Sequence, residues 1–511
     1  MSISSNERKN LIFKIIAALV FPFLGCLLYC LIRGTYFFEL YLPNSYNNDV
    51  LFYYKMVEGM VDGGINGYFG FNESHALYGG FAAWNPMIVL PWLAWGFLFG
   101  WGYMAPILCN IFLFSIALVV FVILVKPGWK SIVTSFVIFL IFPSLWIHLM
   151  NGLPETIIAA NLIAFMALMI AYSEDKKKVY LWIAIVLAIY LTVVRPYLVV
   201  FLLYALICMI KRKKWWDYVS AGLICITTGF IYALTNHFFT AAYFEPLYDM
   251  SLIKALAKLN ITDAFYILGS AVSNTVPGIF KFLLGTFSFG STAGTQYLIC
   301  ILFIVFSMGW LIFANKKDRK YTGPLASYAI AGGALLIAII VLLGKPNEGG
   351  RHCYAFAILA VMLLSLTIES LWGKIVSGAL VALLVVFICR GAMIPTDYDI
   401  PMPDNKLSEE IDYWKSVWES NDSTGYDNTI IWALSDTVDG QGVYVDYHGL
   451  YAVPSRMGIN CCNYLYLMDN INNLKCRYVA VAPDSYFGER LVEQGYSEIG
   501  CSEDLVIYWK G

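Results

Sequence analysis

Long apolar runs fill most of the first 390 residues, and short clusters of Lys and Arg separate them. The sequence has five such clusters: Arg8-Lys9, Lys126 with Lys130, Lys176-Lys177-Lys178, Lys211-Arg212-Lys213-Lys214, and Lys316-Lys317 with Arg319-Lys320. Short loops rich in Lys and Arg remain on the cytoplasmic side of a membrane. An even number of crossings therefore separates each cluster from the next, and the N-terminus is predicted to be cytoplasmic.

This rule assigns the apolar runs to about eleven membrane-spanning helices and places the C-terminus outside. The run at 180–210 has Lys clusters at both ends, so it is predicted to be a hairpin with its outer turn at Arg195-Pro196. Each arm has only about 15 residues, fewer than the roughly 20 that a span prefers. The predicted spans are 11–32, 103–125, 131–150, 156–173, 180–194, 197–210, 218–236, 298–314, 323–343, 353–371 and 375–390.

The segments left outside by this threading are the predicted outer loops 33–102, 151–155, 237–296 and 344–352. In the first loop, the piece 86–100 contains Trp92 and Trp95 and is predicted to lie in the outer membrane interface, where Trp is favoured. In the third loop, Pro277-Gly278 indicates broken, partly re-entrant interfacial helices over 263–289.

The chain becomes polar beyond residue 394, which divides it into a membrane module, 1–394, and a predicted extracytoplasmic domain, 395–511. Short strand candidates alternate with helix candidates there, a pattern typical of a small α/β domain. The strand candidates are 429–434, 443–447, 477–482 and 505–509, and the helix candidates are 407–420, 463–474 and 486–494.

Composition supports the membrane assignment, because 59% of the residues are hydrophobic and 13% are charged. Such values exclude a soluble globular protein, and a net charge of -2 gives no indication of a nucleic-acid partner. Four of the 12 cysteines fall in the polar C-terminal part: Cys461, Cys462, Cys476 and Cys501. One or two disulfides, of undetermined pairing, are expected if that part faces an oxidising compartment.

Two carboxylates stand out in the outer loops. Asp49 begins an amphipathic segment beyond the first span, and it is either a helix cap or a functional group. Glu155 ends a tight turn between two apolar helices, where it either caps the next helix or faces a cavity. Glu73, His75 and the Trp84-Asn85 pair add polar groups near the interface.

The loop 344–352 concentrates cations on a Gly-rich turn, which is predicted to be flexible, at the start of a helix. Lys345, Arg351 and His352 either recognise a phosphate or anchor the chain at the interface. Carboxylates and cations at one membrane face suit group transfer, since a carboxylate can deprotonate an acceptor hydroxyl while cations stabilise a leaving phosphate.

The order of these motifs resembles the GT-C superfamily of membrane glycosyltransferases, which take sugar from a polyprenyl-phosphate carrier. The matching motifs are Asp49 with Tyr53-Tyr54 and Gly59, Trp84-Asn85-Pro86 through Leu90-Pro91, Leu153-Pro154-Glu155, Arg195-Pro196, and Gly350-Arg351-His352 with Tyr354. They extend over most of the membrane module, and the outer α/β domain also resembles that of the family. The resemblance implies a GT-C-like fold and an inverting sugar transfer on the extracytoplasmic face.

The resemblance also implies roles for individual residues. Asp49 is expected to be the general base, and Glu155 the second acidic residue of the cavity. The donor phosphate is expected to contact Arg351, His352, Lys345 and Arg195. The substrate cavity is expected to include Tyr53, Tyr54, His75, Trp84, Asn85 and Tyr354. Many members carry paired acids in the first loop, whereas the neighbour of Asp49 is Asn48. A metal site built on two adjacent acids of the first loop is therefore not expected. A second arrangement, in which Asp49 and Glu155 together bind Mg²⁺ or Mn²⁺, remains open.

The expected partners are a polyprenyl-phosphate sugar, a glycan, lipid or protein acceptor, and the bilayer. The expected location is a bacterial plasma membrane, and an endoplasmic reticulum membrane with the lumen as the outside is open as an alternative with the same topology. Two other functions remain open. A transporter or flippase of lipid-linked saccharides would carry ionisable groups at mid-membrane and often repeat symmetry. A non-enzymatic cell-envelope assembly protein or receptor would bind through 395–511. The sequence does not determine the sugar, the acceptor or the carrier length.

Overall fold

A computed structural model describes residues 5–40, 48–63, 68–71, 77–78, 85–239, 249–289, 292–313, 321–389, 405–420, 429–433, 435–438, 441–445, 448–455 and 457–511. The chain is mainly helical. The helices that follow the first apolar runs are α1 (Ser5–Ile32), α2 (Asn48–Gly63), α3 (Leu90–Phe99), α4 (Ala105–Val125), α5 (Trp129–Leu140), α6 (Pro143–Met150), α7 (Glu155–Asp175), α8 (Lys178–Val194) and α9 (Val199–Ile210).

The remaining helices of the membrane part are α10 (Trp215–Phe239), α11 (Ser251–Ala257), α12 (Ile261–Phe289), α13 (Thr292–Phe313), α14 (Thr322–Ala338), α15 (Pro346–Leu366) and α16 (Leu371–Phe387). Helix α14 continues into a wider π-helical turn, Ile339–Leu343. Among the described residues, eight helices are long and apolar enough to span a membrane. The pair α5 and α6, bent by 74°, would make a ninth.

Each of the eleven predicted spans overlaps a helix or, for 131–150, this bent pair. One of the eight long apolar helices, α12, was not predicted as a span, since it falls in the predicted outer loop 237–296. The bend follows from Pro143, which cannot donate the hydrogen bond that a continuing helix needs. The hairpin at 180–210 also divides where predicted, with α8 ending before Arg195-Pro196. Its arms and α16 are shorter than the other spans. The multi-pass helical membrane fold predicted from the sequence is confirmed.

Helices α7 and α15 form the centre of the bundle, and nearly all of their residues are buried. Helix α7 packs against α4, α8 and α15, whereas α15 also packs against α13. Helix α15 approaches α13 closely at two glycines. A Cβ added to Gly349 would lie 2.1 Å from the Tyr297 hydroxyl, and one added to Gly350 would lie 2.6 Å from the Ala293 Cβ. These glycines therefore permit close helix packing.

This packing corrects two expectations. The predicted outer loop 344–352 is helical from Pro346 onward, so Arg351 and His352 lie within α15. Pro346 occupies the first helical position, where its fixed φ favours helix initiation. The Gly-rich segment is thus a packed helix start and not a flexible turn.

The expectation of broken helices over 263–289 is also wrong, because α12 runs through Pro277 to Phe289 without a break. Tertiary contacts hold this helix. The Thr275 hydroxyl donates a hydrogen bond to the Ile340 carbonyl (3.3 Å), and a Cβ on Gly278 would lie 2.6 Å from the Pro346 ring.

The C-terminal part contains the helices α17 (Asn405–Ser420), α18 (Tyr464–Asn470) and α19 (Tyr486–Glu493). Its strands are β3 (Thr429–Ala433), β4 (Ser435–Val438), β5 (Gln441–Tyr444), β6 (Gly458–Cys462), β7 (Tyr478–Val481), β8 (Ser497–Cys501) and β9 (Val506–Trp509). β3, β6 and β7 are parallel neighbours whose residues are all buried, as is usual for strands covered on both faces.

Two strands of this sheet come from the segment 33–102, which was predicted to be the first outer loop. They are β1 (Tyr68–Phe71) and β2 (Leu77–Tyr78), and the order of the seven strands is β2-β1-β6-β3-β7-β9-β8. β1 pairs in parallel with β6, with Phe69 opposite Ile459 and Phe71 opposite Cys461. The C-terminal sheet therefore includes strands from the segment that follows α2, and this pairing joins the C-terminal domain to that segment.

The four C-terminal cysteines are free thiols in the structure, so neither of the expected disulfides is present among them. Cys461, Cys462 and Cys476 are buried in the domain core, whereas Cys501 is exposed. Burial raises the pKa of the Cys476 thiol to about 12. These buried cysteines therefore act as small apolar core residues.

Candidate active site

Four segments that are distant in sequence bring charged side chains together at one end of the helix bundle. Asp49 is the second residue of α2, Glu155 is the first residue of α7, Arg195 follows α8, and Arg351 lies near the start of α15. Both carboxylates thus lie in the first turn of a helix, where the helix dipole favours negative charge. Arg195 leaves the helix because the following proline disfavours helical backbone at its position.

Arg351 bridges the two carboxylates. Its Nη1 lies 2.5 Å from Asp49 Oδ2, and its Nε lies 2.5 Å from Glu155 Oε1. Arg195 Nη2 approaches the same Glu155 oxygen at 3.5 Å. The formal charges of these four residues sum to zero, which lowers the cost of placing them at the end of an apolar bundle.

The two carboxylates differ in their access to solvent. The side chain of Asp49 is 31% exposed and that of Arg351 is 20% exposed, whereas those of Glu155 and Arg195 are 3% and 1% exposed. Solvent can therefore reach the Asp49 side chain. Glu155 holds the two guanidinium groups in place from within the protein.

Aromatic and histidine side chains surround this charged cluster. The Tyr197 hydroxyl forms a hydrogen bond with His352 Nδ1 (3.1 Å), and His148 stacks on Tyr354 with ring centroids 4.0 Å apart. Tyr53 is buried, and its ring meets the Trp92 ring edge-on at 6.4 Å. Burial raises the pKa of the Tyr53 phenol, so this group stays neutral.

Three predicted site residues have other environments. Tyr54 is buried on another side of α2, against Trp101. Asn85 accepts a hydrogen bond from the Met87 amide (3.0 Å) and donates one to the Thr235 hydroxyl (2.7 Å). Lys345 is 65% exposed and pairs with Glu348 at 3.2 Å. The structure therefore does not place these three side chains in the charged cluster. His75 and Trp84 lie outside the described residues.

Sequence reasoning missed His148 and Tyr197. His148 is one of only five histidines in the chain, and it lies close to the turn that precedes Glu155. Tyr197 directly follows the Arg195-Pro196 turn. The sequence showed only that His148 and Tyr197 lie beside predicted site residues. Their contacts, His148 with Tyr354 and Tyr197 with His352, depend on how the helices pack.

No family profile and no curated protein sequence matches the chain. Comparison with solved structures does find proteins of similar architecture. The oligosaccharyltransferase of Archaeoglobus fulgidus in its apo form aligns with a TM-score of 0.53 and 12% identity, over 94% of this chain and 70% of that one. This chain has a GT-C-like fold.

A second oligosaccharyltransferase structure from the same organism aligns with this chain to the same extent. The Archaeoglobus fulgidus oligosaccharyltransferase AglB, bound to an inhibitory peptide and a dolichol-phosphate, aligns with a TM-score of 0.53 and 11% identity over the same shares of the two chains. The GT-C-like fold predicted from the order of motifs is therefore confirmed.

Two neighbouring carboxylates, such as Asp49 and Glu155, are a common feature of divalent-cation sites. The Archaeoglobus enzyme has also been crystallised with Zn and sulfate, in a structure that aligns with a TM-score of 0.50 and 12% identity over 92% of this chain and 67% of that one. In this chain a guanidinium group lies between Asp49 and Glu155 and contacts both. Within the described ranges, no three His, Cys, Asp or Glu side chains cluster as metal ligands. The donor set does not fit a divalent cation shared by these two carboxylates.

Proposed function

We propose that this protein is a membrane glycosyltransferase that moves a sugar from a polyprenyl-phosphate donor to a glycan, lipid or protein acceptor at the extracytoplasmic face. The observation that carries the proposal is the contact of Arg351 with both Asp49 and Glu155, which places a cation beside a solvent-accessible carboxylate. The likeness to an oligosaccharyltransferase supports the reaction class.

In this reaction Asp49 accepts the proton of the acceptor hydroxyl as that oxygen attacks the anomeric carbon of the sugar. The bond from the anomeric carbon to the phosphate oxygen breaks on the opposite side, so the configuration inverts. The leaving polyprenyl phosphate carries the negative charge. Arg351, Arg195 and His352 stabilise or orient that phosphate.

The ion pair between Arg351 and Asp49 also sets the order of donor binding and proton transfer. Arg351 neutralises Asp49 through their ion pair. A donor phosphate competes with Asp49 for the guanidinium group, since phosphate is a strong partner for Arg. Binding of the donor therefore frees the carboxylate to act as a base, while Glu155 keeps Arg351 in place through its second contact.

The distribution of charges along the bundle supports the proposed orientation. Lys14 Nζ donates a hydrogen bond to the Pro127 carbonyl (2.6 Å), and Lys130 lies 3.5 Å from Glu369. These contacts gather basic segments at the end of the bundle opposite Arg351, because Glu369 follows α15 while Arg351 lies near its start. Since basic segments remain cytoplasmic, the proposal puts the charged cluster and the C-terminal domain on the outside. A bacterial plasma membrane is part of the proposal and rests on no contact in the structure.

The test uses purified protein in liposomes with radiolabelled polyprenyl-phosphate sugars and a panel of glycan, lipid and peptide acceptors. We expect label to enter an acceptor with inverted anomeric configuration, and Asp49→Ala to abolish the transfer without reducing protein insertion. Wild-type turnover by Asp49→Ala would contradict the assignment of the base. Movement of label across the membrane without transfer would identify a transporter instead.

Cys501 provides a test of orientation without an engineered cysteine, since its thiol is free and exposed. A membrane-impermeant maleimide added to intact cells should label the peptide that contains Cys501 in the wild type and not in Cys501→Ser. Reading the label peptide by peptide separates Cys501 from the other exposed cysteines, Cys225 and Cys389. Burial raises the pKa of the Cys501 thiol, so labelling should accelerate as pH rises and the thiolate forms. Labelling that requires inside-out vesicles would contradict the orientation.

A further inference from the structure

Helix α2 carries the proposed base near its N-terminus and faces two different parts of the protein. Asp49 and Tyr53 point toward the charged cluster and the membrane helices. Tyr54 and Lys55 contact residues 451 and 453 of the C-terminal domain. The helix therefore lies between the domain and the site.

Lys55 is buried, with 3% of its side chain exposed, although it carries a charge. Its Nζ pairs with Glu58 on the same helix and donates a hydrogen bond to the Val453 carbonyl (2.6 Å). A buried ammonium group is costly unless it has such partners. The contact with Val453 thus ties α2 to the C-terminal domain.

The surroundings of Lys55 show a closely packed contact. A Cβ on Gly59 would lie 3.2 Å from the Ser455 carbonyl oxygen. Tyr54 packs against Tyr451 with ring centroids 5.4 Å apart, and it also stacks on Trp101 at 5.6 Å. Since the segment beyond α2 joins the domain sheet through β1, the domain contacts both α2 and the strand that follows it.

We propose that Lys55 is a positioning residue, and that through it the C-terminal domain holds α2 so that Asp49 stands opposite Arg351. Lys55 lies six residues after Asp49, about 9 Å along the helix axis. A shift of the domain contact is therefore transmitted to Asp49 by a rigid helix of less than two turns. This role rests on the proposed glycosyltransferase function, because Asp49 matters as a base only in that reaction.

The activity test compares Lys55→Met with Lys55→Arg and with Lys475→Met, which removes an exposed lysine from the C-terminal domain. Misplacing a catalytic group lowers turnover, so we expect kcat of Lys55→Met to fall about tenfold to a hundredfold. The KM for donor should not rise, because Arg351 and His352 lie on α15 and a displaced Asp49 competes less with the donor phosphate for Arg351. Lys55→Arg should recover most of the turnover, since it keeps a cationic donor.

Two kinetic results would overturn the proposal. One is a kcat for Lys55→Met equal to that of Lys475→Met. The other is a joint loss of donor affinity and turnover in Lys55→Met, which would indicate a general disturbance of the site and not a misplaced Asp49.

Hydrogen exchange measures the contact itself and does not depend on activity. In Lys55→Met, amides of α2 should exchange faster than in Lys475→Met, while those of α15 keep their rates. Unchanged exchange in α2 would overturn the positioning role even if no donor supports transfer. Conversely, faster exchange in α2 of a protein that transfers no sugar would contradict the proposed function alone and leave the contact supported.

Discussion

The two ends of the helix bundle use ion pairs in different ways. At the basic end, Lys130 pairs with Glu369 at 3.5 Å, and both side chains are at least 70% exposed. At the other end, Arg351 contacts Asp49 and Glu155 at 2.5 Å, and Glu155 is almost fully buried. The first pair is solvated, whereas the second belongs to a cluster enclosed by four segments of the chain.

This difference separates charges that water can screen from charges that the protein encloses. An exposed pair contributes little to stability because water and salt screen it. A buried cluster is costly to assemble and costly to break, since each lost partner leaves an uncompensated charge. The buried cluster is therefore expected to respond strongly to single substitutions and the exposed pair weakly.

The largest difference should appear in turnover. Asp49→Asn keeps the shape of the side chain but removes the base, so kcat should fall by about 10²–10⁴-fold. Glu369→Gln makes the same kind of change at the opposite end and should leave kcat unchanged. Sugar transfer in liposomes measures both variants, and equal activities would mean that Asp49 does not accept the proton.

Stability should follow the same order. Glu155→Gln leaves Arg195 without its carboxylate partner, so unfolding should become easier by about 3–5 kcal/mol. Glu369→Gln should change this free energy by no more than about 0.5 kcal/mol. Denaturation in detergent measures the two variants side by side. A Glu155→Gln protein as stable as Glu369→Gln would show that the buried contacts are not stabilising.

A smaller effect is expected from Arg351→Lys. Lysine keeps the charge but lacks the planar fork that reaches both carboxylates, so one charge-assisted hydrogen bond is lost. The value of kcat/KM for donor should fall about tenfold to a hundredfold. Lys130→Arg, the reverse exchange at the basic end, should have no effect on the same measurement. An Arg351→Lys enzyme with wild-type kinetics would argue against a bridging role.

No effect on activity is expected from removal of divalent cations. Arg351 already supplies the positive charge between Asp49 and Glu155, so transfer should persist in EDTA. Transfer rates before and after chelation, with readdition of Mg²⁺ or Mn²⁺ as the control, decide this point. Loss of activity in EDTA that Mg²⁺ restores would show that the carboxylates bind a metal during turnover.

Much of the bundle could be predicted because hydrophobic length and positive flanks are local properties. Even the hairpin with short arms was placed correctly at Arg195-Pro196. The candidates for the charged cluster were also visible, since Asp49, Glu155 and Arg351 are ionisable residues beside apolar runs. The helix after this loop was predicted, but its beginning at Pro346 was not. Gly349 and Gly350 indicate a turn until their packing against Tyr297 and Ala293 is known.

The sequence by itself determined that this chain crosses a membrane repeatedly, because the burial of an apolar span in a bilayer depends only on residues that are neighbours in the chain. Tertiary structure alone decided that Arg351 meets Asp49, 302 positions away, and that β1 joins the C-terminal sheet. Those contacts depend on how helices and strands pack in three dimensions. The same ionisable side chains would be anchors or caps if the helices packed differently.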